Sequence, residues 1–135
     1  MFGNRPTKPQ NRIDSLIGAG TKIIGDIQFS GGLRIDGEVN GNVIATPGKT
    51  STLVLSEHAR VDGEIGVTHL VANGVVTGPV KASEYLELQS KAKLIGDVHY
   101  KTMEIQLGAI VEGKLIHLTE ISDKVVTLKL SGTES

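Results

Sequence analysis

The sequence predicts an all-β, single-domain parallel β-helix of about six coils with flexible termini, and three observations support this fold class. A short pattern of alternating apolar residues around a glycine recurs along the chain. The 135 residues include 17 Gly but only two Tyr, two Phe and no Trp, a composition that suits a narrow aliphatic core. The 3.6-residue period of an amphipathic helix is not convincingly present.

The composition narrows the classes of function. The absence of Cys excludes disulfides, thiolate metal sites and cysteine nucleophiles. The net charge is −1 and aromatic platforms for base stacking are nearly absent, so we expect no nucleic-acid partner. No apolar run has the ~18–20 residues of a membrane span, and no signal peptide is evident, which predicts a cytoplasmic location.

Residues 1–13 differ in amino-acid composition from the rest of the chain. They contain Pro6 and Pro9, three basic side chains and no acidic one. Such a segment buries too little apolar surface to offset the entropy lost on ordering. We therefore expect a flexible tail with a charge of +3, which leaves −4 for the remainder.

An internal repeat begins after this tail. Residues 53–65, 86–98 and 103–115 superimpose without gaps on a pattern of apolar-x-apolar, three spacer residues, then Ala-x-apolar-x-Gly-x-apolar. Looser copies complete a series of six glycines with a typical spacing of about 17–18 residues. These anchoring glycines are Gly25, Gly41, Gly63, Gly78, Gly96 and Gly113. The longest interval contains residues 45–52, which we interpret as a loop inserted into one repeat.

Antiparallel hairpins are the competing interpretation, because Asp-Gly and Asn-Gly pairs favour tight β-turns. In a two-residue hairpin the residues that flank the turn share a face. That arrangement would pair Ile35 with Glu38 and Val61 with Glu64, apolar against charged. The apolar alternation instead continues through the glycine, which predicts that each repeat is one coil of a parallel β-helix.

The coils are predicted over residues 14–121, and residues 122–135 are a candidate extra strand or cap followed by disordered residues. An uncapped solenoid presents apolar side chains and unpaired strand edges at both ends. We therefore predict end-to-end stacking into filaments, without nucleotide and with polarity left open. The predicted polymer interface consists of Ile17, Ile23, Ile27, Phe29, Leu115, Leu118 and Ile121.

Sites for chemistry are scarce in this sequence. His58, His69, His99 and His117 lack the spacing of a local metal pair, although stacking of repeats could bring His99 beside His117. We predict no catalytic residue, no metal site and no cofactor. Two alternatives stay open: a monomeric β-solenoid binding module with capped ends, and a β-helix acyltransferase-like enzyme.

The segments 17–27 (IGAGTKIIGDI) and 32–43 (GLRIDGEVNGNV), which follow a short basic tail that begins Met1-Phe2, resemble the bactofilins, bacterial polymer-forming cytoskeletal proteins. The resemblance covers about residues 13–118. It implies a right-handed triangular β-helix whose end coils join into nucleotide-independent, non-polar filaments. It also implies a scaffold that positions cell-wall enzymes or other morphogenetic proteins.

The same resemblance implies peripheral attachment to the cytoplasmic face of the inner membrane through the N-terminal tail. The matching membrane-binding residues are Met1, Phe2, Arg5, Lys8 and Arg12. A few cations near anionic lipid contribute about 1 kcal/mol each, which is weak for one tail. Repetition along a filament would strengthen the attachment.

Overall fold

Short strands of alternating inward and outward residues, separated by tight corners, wind into a right-handed parallel β-helix of six coils. The computed structural model describes residues 12–119, and the strand order and parallel pairing there confirm the predicted fold class. No helix occurs within these described residues. We number the coils 1 to 6; they span residues 15–29, 31–45, 51–67, 70–82, 86–100 and 103–117.

Each coil contributes one strand segment to each of three faces. The first face contains β1 (Ser15–Ile17), β4 (Gly31–Ile35), β7 (Ser51–Leu55), the second halves of β9 (Ile65–Ala72) and β11 (Val80–Leu88), and β14 (Met103–Ile105). The second face contains β2 (Lys22–Ile24), β5 (Glu38–Asn40), β8 (Arg60–Asp62), β10 (Val75–Thr77), β12 (Lys93–Ile95) and β15 (Ile110–Glu112). The third face contains β3 (Ile27–Phe29), β6 (Val43–Ala45), the first halves of β9 and β11, β13 (Val98–Tyr100) and β16 (Leu115–His117).

The register of the strands matches the repeat found in the sequence. Leu86 pairs with Met103, and Val98 pairs with Leu115, so coils 5 and 6 stack without gaps on all three faces. Every strand pair in residues 12–119 is parallel, which removes the hairpin interpretation. Residues 46–50 form a loop between β6 and β7, where the inserted segment was expected.

The core consists of columns of aliphatic side chains that run along the rod axis. One residue per coil points inward from the second face, and its column includes Val39, Val61, Val76 and Leu94, all buried. The other faces add columns of the same kind, filled by Leu, Ile, Val and Ala. Close packing of β-branched and Leu side chains in a narrow interior explains why the sequence has so few aromatic residues.

The six anchoring glycines stack at the corner between the second and third faces. At Gly63, φ is +158°, and a Cβ added there would collide with the carbonyl oxygen of Gly41 in the coil before it. The same close approach recurs from Gly41 to Gly113 in every coil of this column. Only glycine permits such contact between successive backbones, so this corner requires a glycine in each of these coils.

Side chains next to this glycine column tie neighbouring coils together. Asp26 Oδ1 accepts a hydrogen bond from the Asn42 backbone N–H at 2.9 Å, and Asn42 Oδ1 accepts one from the Glu64 N–H at 2.9 Å. Asp97 Oδ1 accepts one from the Lys114 N–H at 3.1 Å. Each bond satisfies a backbone donor at a corner, where the sheet hydrogen bonds are interrupted.

The corner between the first and second faces has two lengths. Coils 2 and 4 turn through the short Asp36-Gly37 and Asn73-Gly74 pairs, whereas coils 1, 3, 5 and 6 use longer turns. The Asp-Gly and Asn-Gly pairs that suggested hairpins are therefore corners of the β-helix.

Candidate functional site: the two ends of the β-helix

The strands of coils 1 and 6 each have one edge without a strand partner among residues 12–119. The coil 1 strands β1, β2 and β3 pair only with strands of coil 2, and the coil 6 strands β14, β15 and β16 pair only with strands of coil 5. An unpaired parallel edge presents backbone N–H and C=O groups that can add a further strand. Both ends of the described rod therefore have the geometry of a stacking surface.

The N-terminal end contains four of the residues predicted for the polymer interface. Ile17, Ile23, Ile27 and Phe29 all lie in coil 1, partly buried, and they pack against the core of the rod. Each occupies an inward position whose counterpart in coil 2 is buried. Their exposure comes from the lack of a preceding coil in the described residues.

The C-terminal end contains two more of those residues. Leu115 is 45% exposed in the inward column of the third face, directly above Val98, which is 0% exposed. Leu118 is partly buried, and its backbone N–H donates to the Tyr100 carbonyl at 2.7 Å. Ile121 lies outside the described residues.

Ile105 is an end residue that the predicted set omitted. It is 50% exposed and stacks on the buried Leu88 in the inward column of the first face. The gapless superposition of residues 86–98 and 103–115 already aligned Ile105 with Leu88, so the sequence contained the signal. Leu107, at the next corner, is 96% exposed.

Charged groups occupy the rim of the N-terminal end. Arg12 Nε lies 3.0 Å from Asp14 Oδ1, and the Asp14 carboxylate also accepts a hydrogen bond from the Gly32 backbone N–H at 2.9 Å. That backbone hydrogen bond, assisted by Arg12, lowers the pKa of Asp14 below its ordinary value. Of the predicted membrane-binding residues only Arg12 is described; Met1, Phe2, Arg5 and Lys8 lie outside the described residues.

The histidines do not form the pair that stacking of repeats could have made. His117 pairs in register with Tyr100, with ring centroids 5.4 Å apart, while His99 pairs with Ile116. The two histidines therefore lie in different columns, because adjacent residues of a strand point to opposite sides. Within residues 12–119, no three His, Asp or Glu side chains are grouped closely enough to hold a metal ion.

The part of the chain that the structure describes also contains no helix that is long and apolar enough to cross a membrane.

Comparison with known proteins supports the assignment that the two ends suggest. The family model for bactofilins, described as polymer-forming cytoskeletal proteins, matches residues 15–116. Bactofilin BacP of Myxococcus xanthus (strain DK1622) is 24% identical over 102 residues, which cover 76% of this chain and 41% of that relative. The chain thus spans about two fifths of the length of this relative. No solved structure matches the chain. The match to the family model extends from the first strand to the last, and the chain belongs to the bactofilin family of polymer-forming cytoskeletal proteins.

Proposed function

We propose that this protein self-assembles end to end, without nucleotide, into non-polar filaments on the cytoplasmic face of the inner membrane, where it positions cell-wall or cell-shape factors. The observation that carries the proposal is the pair of open ends. Each presents three strand edges and an apolar centre. The membrane attachment and the cell-wall partners follow from the family resemblance.

The end-to-end joint would use the two interactions that already hold the coils together, strand-edge hydrogen bonds and apolar packing, although like ends that meet about a two-fold axis would pair their strands antiparallel. Inside the rod each coil pairs with the next through three parallel strand pairs and a shared aliphatic core. Joining two ends would cover Ile105 and Leu115 and give the unpaired edges hydrogen-bond partners. Removal of apolar surface from water stabilises such a contact by roughly 25 cal/mol per Å².

Membrane attachment would come from residues 1–12. Phe2 supplies an apolar side chain, and Arg5, Lys8 and Arg12 supply positive charge. One such tail binds anionic lipid weakly, at about 1 kcal/mol per cation. A filament carries one tail per subunit, so its attachment is multivalent and much tighter.

Electron microscopy of the purified protein without nucleotide tests the assembly. We expect filaments over a range of salt and protein concentration. Monodisperse rods under all these conditions would contradict the proposal and favour a capped β-solenoid binding module instead.

Liposome co-sedimentation tests the tail. A variant that lacks residues 2–8 should form filaments like the full chain but fail to pellet with anionic vesicles. A variant that retains residues 2–8 but carries Lys81→Glu, which removes an exposed cation from the middle of the rod, is the control and should still pellet. If the deletion variant bound lipid as strongly as the full chain, the proposed membrane attachment through the tail would be wrong.

A further inference from the structure

The first face carries an outward column with one residue from each coil. The strand register aligns these six residues along the rod axis. In order they are Leu16, Arg34, Val54, Val71, Glu87 and Glu104. Val54 and Val71 thus form an apolar centre with a basic residue on one side and acidic residues on the other.

The four middle residues of this column, in coils 2 to 5, are complementary to their own reverse. A two-fold axis parallel to the strands and midway between coils 3 and 4 would bring Val54 against the partner's Val71. It would also bring Arg34 against the partner's Glu87, since both lie one coil away from that centre. We propose that the first face is a lateral interface, through which a second copy of this chain packs face to face with its rod axis antiparallel.

The flanking column on the side where the strands end agrees with this arrangement. Asp36 would meet the partner's Gln89, and Ser56 would meet the partner's Asn73, so polar groups face polar groups without opposing like charges. A parallel arrangement about an axis along the rod would instead place Arg34 against the partner's Arg34. Like-charge contacts of that kind oppose association, so the charge pattern selects the antiparallel orientation.

The charged groups retain capacity for a contact between copies. Arg34 Nε donates to Asp36 Oδ1 at 2.8 Å, but an Arg guanidinium has further donors on its two terminal nitrogens. Glu87 Oε2 accepts from Gln89 Nε2 at 3.1 Å, and a carboxylate can accept about four hydrogen bonds. These intrachain bonds hold both side chains in place on the face before a partner arrives.

The other two faces lack this pattern. At the same two central coils, the outward residues of the second face include Arg60 and Asp62, which pair with each other. The third face has Gly66 and Lys81 at the corresponding positions. Within the described residues, only the first face combines an apolar centre with oppositely charged flanks.

The size of the face predicts how strongly it binds. Five residues across and six coils along measure ~17 by ~29 Å, or about 1,000 Å² buried on the two copies together. That area is below the 1,200–2,000 Å² typical of stable complexes. One pair of rods is therefore weakly bound, whereas two filaments whose subunits turn this face to the same side would repeat the contact and pair firmly.

Charge exchange tests the contact. Arg34→Glu alone and Glu87→Arg alone should each convert paired filaments to single ones of half the width in electron micrographs at 0.15 M salt. The double variant should restore pairing. Within one chain the two positions are three coils apart, ~14 Å, beyond the screening length of ~8 Å, so an intrachain ion pair does not explain a rescue.

Lys93→Glu on the second face is the matched control and should leave pairing unchanged. Pairing that persists in both single variants, or a double variant that fails to restore it, overturns the proposal. If the chain's own terminal residues covered the first face, the unaltered chain and every variant would form single filaments. That result would also overturn the proposal.

Disulfide trapping tests the orientation without filaments. The chain has no Cys, so Asp36→Cys and Gln89→Cys each introduce a unique thiol. On a Leu115→Arg background, which disrupts the joint between C-terminal ends and so limits a non-polar assembly to pairs of rods, an oxidised mixture of the two variants should form covalent heterodimers on a denaturing gel, while either variant alone should not. Cross-linking by one variant alone, or none in the mixture, overturns the antiparallel register, whatever becomes of the end-to-end joint.

Discussion

The middle coils and the end coils are built from the same repeat, yet they differ in what their inward residues contact. Val98 in coil 5 is fully buried, while Leu115 in the same column of coil 6 is 45% exposed. The residue types are alike, so exposure follows from position in the stack. The comparison teaches that, in this column, an apolar surface for a joint arises wherever the stack of described coils stops.

Truncation of an inward Leu should give the largest difference in stability loss between the middle coils and the end coils. Leu70→Ala in coil 4 removes a fully buried side chain, and we expect the free energy of unfolding to fall by about 3 kcal/mol. Leu115→Ala removes a half-exposed one and should reduce it by less than about 1.5 kcal/mol. Urea unfolding below the concentration at which filaments form measures both, and equal losses would contradict the comparison.

The glycine column offers the next contrast. Gly63→Ala combines an unfavourable φ of +158° with a collision against the Gly41 carbonyl, and should destabilise by more than about 2 kcal/mol. Gly25 in coil 1 has a φ of +132° but open space around the added Cβ, so Gly25→Ala should destabilise by only about 1 kcal/mol. Thermal unfolding measures the two changes, and the reverse order would show that strain rather than stacking decides the corner.

The side-chain hydrogen bonds that link the corners of neighbouring coils predict a smaller difference in stability loss between the middle and the end of the rod. Asn42→Ala removes the acceptor for the Glu64 N–H and should lower the free energy of unfolding by about 1 kcal/mol. Asn42→Asp retains an acceptor oxygen and is the conservative control. Lys114 occupies the same position in coil 6, where its side chain has no described coil above it, and Lys114→Ala should change stability by under about 0.5 kcal/mol.

The pH dependence of the free energy of unfolding should show the smallest difference, and it involves Asp62 in the middle of the rod. A hydrogen bond from Thr77 Oγ1 at 2.6 Å lowers the pKa of Asp62, burial opposes the shift, and Arg60 assists it. A lowered folded-state pKa stabilises the protein above the ordinary Asp pKa of about 3.9, and this stabilisation is lost as pH falls through the folded-state value. Thr77→Val should therefore lose less stability than the unaltered chain between pH 6 and pH 3 in urea unfolding, and identical losses would contradict this role.

Much of the fold was predictable because the repeat is local. The gapless superposition of residues 53–65, 86–98 and 103–115 fixed the register of three coils, and the glycine spacing located the others. The two corner lengths were harder to foresee, because Asp36-Gly37 and Asn73-Gly74 fit a hairpin turn as well as a coil corner.

The end surfaces were predictable in position but incomplete in membership. Ile17, Ile23, Ile27 and Phe29 were placed at the first coil from the chain order alone. Ile105 was omitted because an alternating pattern does not show which inward residue lacks a neighbour above it. The superposition of residues 86–98 and 103–115 aligned Ile105 with Leu88, and the strand register adds that no described strand covers Ile105.

The direction of the backbone hydrogen bonds has a mechanical consequence. The strands run across the rod, so the bonds between coils lie along its axis, and a pull along the axis loads the three strand pairs of one boundary together. Inside the rod each boundary is also crossed by the covalent chain, whereas a joint between two rods is not. A filament of such rods under tension should therefore part at its joints and release intact subunits that can anneal again.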